Sequence, residues 1–202
     1  MIFSLDRLLG RRRSASPAAF QAFLDRQAAF VTQKTVIDYC RVKAGRTERE
    51  LFADPDFQAA LRHCRWQTFG ATVQDVVALA EAWLRPHAAG HESALATGLA
   101  RLGAAILDGA PAPPEEREAL DAGRDALPRH LAQLQEAPPL AANRLPLLAD
   151  APLLATLPIH PDQRVGETPS IRGALRFHIV STQQEMERGF DAAALARELS
   201  AG

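Results

Sequence analysis

His87 and His91 stand four residues apart with Glu92 adjacent, a spacing that puts two imidazoles on one helical face and can hold a metal ion. Pro86 and Gly90 oppose a regular helix there. Ala88 follows the first histidine, where a zinc protease motif needs glutamate. Solvent-exposed loop histidines, with no metal, are the expectation. A second group has more variety. Asp38, Tyr39 and Arg41 lie on one predicted helix, and His63, Trp66 and Gln67 on another. If the two faces meet, these six residues line a pocket with a few oriented polar groups, the usual form of a small-molecule site.

Nucleophilic chemistry finds little support. His63, His130, His160 and His178 have no carboxylate or nucleophile at a short fixed spacing, and Ser93, Ser170 and Ser181 lack an activating context. The glycine patterns of nucleotide-binding loops and of the esterase elbow are missing. Cys40 and Cys64 fall on apolar helical faces, so both are expected to be buried, reduced and unreactive. No catalytic residue and no cofactor is assigned from the sequence.

Charge is divided by position. Residues 1–46 hold nine basic side chains against three acidic ones, a net +6; with the 202-residue chain at −1, the remainder carries −7. Such asymmetry points to a charged partner. Phe3, Leu5, Leu8 and Leu9 precede Arg11, Arg12 and Arg13, and together they form a candidate contact for a protein partner or an anionic membrane surface. Nucleic acid is a poor fit. The residues after Thr72, where a recognition helix would lie, include Asp75 and Glu81 and no arginine before Arg85. No run approaches about 18 apolar residues, so no membrane-spanning helix is expected. Lys34 and Lys43 are the only lysines, a bias typical of GC-rich bacterial genomes.

The elements that would position these residues are helical. Ser16-Pro17 reads as a capped start, followed by apolar helical spacing as far as Gly45. Thr47 to Glu50 spells a capping box, and Asp54-Pro55 repeats the cap-plus-proline start. Gly70 is expected to stop that helix, and Thr72 to cap the next. Further helices are expected over 92–108 and 114–136, the latter kinked or split at Pro128. Eleven of the fourteen prolines come at or after Pro111, so residues 138–170 read as an ordered strap. Ile171, Leu175, Phe177 and Ile179 alternate with polar residues, a half-buried strand pattern, with a helix as the alternative. Helical pieces follow from about Thr182 and after Asp191.

The expected fold is mainly α. A compact helical bundle core over 17–108 follows a basic segment and linker over 1–16, and a Pro-rich helical strap over 109–202 packs on it, with at most one short β-strand or hairpin. The expected function is that of a non-enzymatic helical interaction protein, an adaptor, assembly or regulatory factor. Its expected place is the cytoplasm, with a peripheral position on the inner membrane surface as one form. The alternative is a helical small-molecule-binding protein or enzyme with a pocket near Tyr39, His63 and Trp66.

Overall fold

The computed structural model describes residues 13–201, and these form a mainly α-helical arrangement. Helix α1 (Pro17–Ala44) starts as its sequence dictates. The Ser16 hydroxyl accepts the Ala19 N–H at 3.3 Å, and Pro17 sits where no N–H is needed. Gly45 ends it with φ +51°, a left-handed conformation that favours glycine. A 3-10 turn leads to the one-turn helix α2 (Glu48–Leu51). The expected capping box does not form there, because the Thr47 hydroxyl donates back to the Ala44 carbonyl at 2.8 Å.

Helix α3 (Pro55–Leu84) is the central element. The Asp54 carboxylate accepts the Phe57 N–H at 2.8 Å to open it. The expected break at Gly70 is absent, and α3 runs straight through. Gly70 instead lies against Leu120, and Thr72 is buried with its hydroxyl on the Thr68 carbonyl. Glycine costs a helix about 1 kcal/mol relative to alanine. Burial of nearly every residue from Thr68 to Glu81 outweighs that.

Helices α4 (Glu92–Gly109) and α5 (Pro114–Leu134) follow. Pro128 does not split α5; it is exposed, so water can take the carbonyl it leaves unpaired. Gly103 on α4 lets Leu127 and Val77 approach its backbone. Arg176 and Asp75 are among the side chains that hold the strap. Arg176 donates to the carbonyls of Ala142 and Leu145, and the Asp75 carboxylate accepts the N–H groups of Leu148 and Ala149. The strap ends in helix α6 (Asp150–Thr156) and a 3-10 turn over 161–164.

Residues 171–180 are helical, part of α7 (Thr168–Gly189). The strand pattern was a coincidence of spacing. Ile171, Leu175 and Ile179 are buried four residues apart, while Phe177 is 69% exposed. Helix α8 (Ala192–Ala201) is the last helix among the described residues. Just before α1, the Ser14 N–H donates to Gly189 and its carbonyl accepts the Asp191 N–H, both at 2.9 Å. The described part of the expected linker is therefore anchored at the α7–α8 corner. Residues 1–12, with Phe3, Leu5, Leu8, Leu9, Arg11 and Arg12, lie outside the described residues; Arg13 is exposed.

One buried apolar cluster runs from Phe20 to Leu199. Phe20, Phe23, Leu61, Val76, Val77, Leu79 and Leu99 all belong to it, as does Cys64, in line with their helical spacing. Cys40 and Cys64 are free and buried, and burial pushes the Cys40 thiol up to about 12. Among the described residues no helix is long and apolar enough to cross a membrane.

Candidate binding cleft between three helices

A cleft of about 750 Å³ opens where α1, α3 and the end of α4 diverge. Its first wall is α1. Ala18, Ala22 and Ala29 recur at spacings of four and seven, so they share one face, and their methyl groups leave that face low. Gln21, Asp25, Thr32 and Gln33 flank the alanines. From Ala18 to Gln33 the wall measures about 22 Å, at 1.5 Å per helical residue.

The second wall is α3, with Arg62, Arg65, Trp66 and Phe69. Trp66 and Phe69 meet edge to face with ring centroids 5.8 Å apart, which fixes an aromatic floor. Ala105, Ile106, Gly109, Ala110 and Pro111 close the end. Arg117 holds that end in place by donating to the Leu107 carbonyl at 2.5 Å and the Ala110 carbonyl at 3.2 Å. The first of these bonds satisfies a carbonyl that the last turn of α4 leaves open.

Charge in the cleft is uncompensated. Elsewhere Arg85 pairs with buried Glu81, Arg117 with Asp121 and Arg124 with Asp108. Arg62 and Arg65 have no hydrogen bond or ion pair among the described residues, and neither has Asp25 on the opposite wall. The cleft therefore offers two free guanidinium groups on one side, a free carboxylate on the other, and an apolar floor between them.

The six pocket residues expected from the sequence do not converge. Trp66 alone lines the cleft. His63 and Gln67 turn to the neighbouring groove against α5, where His63 Nδ1 lies 2.7 Å from Glu116 Oε1 and the Gln67 amide donates to Oε2 at 2.9 Å. Tyr39 donates to Glu167 Oε2 at 2.6 Å, and Lys43 donates to Oε1 at 2.8 Å. Burial, then the Glu167 bond, raise the Tyr39 phenol, while its two donors hold Glu167 below the usual carboxylate range. Asp38 pairs with Lys34 at 2.8 Å. Arg41 pairs with Glu48 at 3.2 Å and lies over the Phe52 ring. Both are surface pairs that add little.

His87 falls in the 3-10 turn after α3 and His91 directly before α4, both exposed, so a shared helical face is not formed. Sequence reasoning missed Glu116, Glu167 and the α1 alanines. Glu116 is in the first turn of α5 and is also buried, which its sequence position alone does not show. The alanine stripe was legible as a spacing, though small residues alone do not distinguish an open face from a packed one. No protein-family model, no curated protein and no solved structure matches this chain.

Proposed function

We propose that this chain is a non-enzymatic interaction protein, an adaptor, assembly or regulatory factor, and that the α1–α3–α4 cleft is its contact site. The observation that carries this is the combination of an open apolar floor with free Arg62, Arg65 and Asp25 on the rims. A folded chain rarely leaves such a concave apolar surface without a use for it. Arginine, glutamine and threonine side chains in this arrangement hold and orient a bound group. The basic residues among positions 1–12, outside the described residues, extend the proposal to an anionic surface as a secondary attachment in the cytoplasm.

The cleft volume favours one second reading. At about 750 Å³ it falls in the range of small-molecule pockets, so an apolar ligand with an acidic head fits the same walls.

Native pull-downs from cytosol and membranes test the proposal, comparing the natural chain with Ala22→Arg/Ala29→Arg and with Phe177→Ser as a control on the far side of α1. Both alanines are exposed, so the arginines block the cleft without entering the core. The expected result is loss of the specific partner from the double variant and retention by the control. Equal capture by all three proteins would contradict the cleft as the contact site.

A further inference from the structure

We infer that the cleft receives an acidic amphipathic α-helix of a partner protein, laid along α1 with its carboxylates toward Arg62 and Arg65. This rests on the proposed contact role of the cleft and names the chemistry of its occupant. Three observations select it. The wall from Ala18 to Gln33 is about 22 Å long, the length of roughly 15 helical residues. Its alanines let another helix backbone approach to the usual 8–10 Å, where larger side chains would hold it off. Helix-in-groove recognition uses this kind of apolar floor, with anchors at helical spacing.

Charge then decides between occupants. Residues 1–12 carry Arg7, Arg11 and Arg12 against Asp6 and are net positive. They would bring like charge to a wall that already holds two free arginines. An acidic helix places opposite charge there, with any single basic residue meeting Asp25. A second copy of this chain is a poorer source: α5 keeps Glu115 and Glu118 exposed, but its leucines Leu120, Leu127 and Leu131 are buried in the chain's own core and cannot enter a cleft.

The probe is a labelled synthetic helix of about 15 residues, with leucines at i, i+3, i+4 and i+7 and glutamates on one flank, titrated into the full chain by fluorescence anisotropy. A twin peptide carries lysine in place of glutamate. The glutamate peptide is expected to bind at least about tenfold more tightly than its twin, and less tightly as salt rises. Arg62→Glu/Arg65→Glu, two exposed positions, should reverse that preference, with an unchanged melting curve showing that the fold is intact. Absence of a preference, or no reversal in the variant, would overturn the inference. So would displacement of the peptide by dodecanoate at matched concentration. So would binding that appears only when Leu5, Leu8 and Leu9 are replaced by serine, which would make the chain's own terminus the occupant. If the peptide fails while Ala22→Arg/Ala29→Arg still loses its pull-down partner, the acidic-helix assignment falls and the contact role stands. Failure of both removes both.

Discussion

Gly98→Ala is expected to destabilise the protein by about 1–3 kcal/mol, the usual cost of forcing extra atoms into a packed interface. A methyl group at position 98 on α4 would lie 2.3 Å from the Leu199 carbonyl oxygen and 3.1 Å from its carbon. The obstacle is backbone, so no side-chain rotation relieves it, and α8 must move as a unit. That movement strips contacts from Leu195, Ala196 and Leu199, the buried face of α8. Alanine favours a helix over glycine by about 1 kcal/mol, and here the clash exceeds that gain. Gly173→Ala is the matched control, since it sits within α7 with nothing inside 4 Å of the new methyl, and it should stabilise by up to about 1 kcal/mol. Urea unfolding of both variants gives the two signs, and faster hydrogen exchange confined to 192–201 in Gly98→Ala locates the damage. A neutral Gly98→Ala would contradict the close α4–α8 packing.

The second large effect belongs to Asp75. Its carboxylate is fully buried on α3 and accepts the Leu148 N–H at 2.7 Å and the Ala149 N–H at 3.1 Å, which ties the strap to the central helix. Asp75→Ala leaves two amide donors without their acceptor, at about 1–3 kcal/mol each, and is expected to cost on the order of 2–6 kcal/mol. The pH dependence has a defined sign. Burial pushes the carboxyl from 3.8 up to about 7, with Asp150 adding to the rise and the two N–H donors and Arg176 opposing it. The folded state therefore holds this proton more tightly than the unfolded chain. The associated stabilisation is full below about pH 4, declines as pH rises to about 7, and is absent above. At about 1.4 kcal/mol per pH unit, the decline totals roughly 4 kcal/mol. Asp75→Asn cannot titrate and lacks this component. The stability difference between the natural chain and Asp75→Asn, measured by urea unfolding at pH 5 and pH 8, should narrow or invert at the higher pH. Parallel pH profiles would show that Asp75 does not titrate in this range.

The helix starts were legible because they are local. Ser16-Pro17 and Asp54-Pro55 satisfy their own first turns with their own side chains, so three or four residues carry the whole signal. Gly70 and Thr72 misled for the opposite reason. A glycine that ends a helix and one that admits a neighbour look alike until Leu120 is placed beside it, and a cap residue such as threonine also serves inside a helix by bonding the carbonyl four residues back. At 171–179, three leucine-like residues four apart plus one exposed phenylalanine imitate a strand, and only burial separates the two periods. The site was less legible than the fold. Trp66 stood out by type and reached the cleft. His63 and Tyr39 stood out too, but their partners Glu116 and Glu167 are 53 and 128 residues away, and no spacing rule spans that distance. The cleft itself is made by small side chains at Ala18, Ala22 and Ala29, whose significance lies in the volume they leave empty.

Site-specific photo-crosslinking in intact cells tests the contact role of the cleft most directly. A photoreactive side chain at Ala22 or Ala105 faces the cleft, whereas one at Phe177 or Ala193 lies on other exposed surfaces. One discrete crosslinked protein is expected from positions 22 and 105, mapped within the partner to an acidic helical stretch, and none from 177 or 193. Crosslinks from 177 or 193 with none from either cleft position would contradict it.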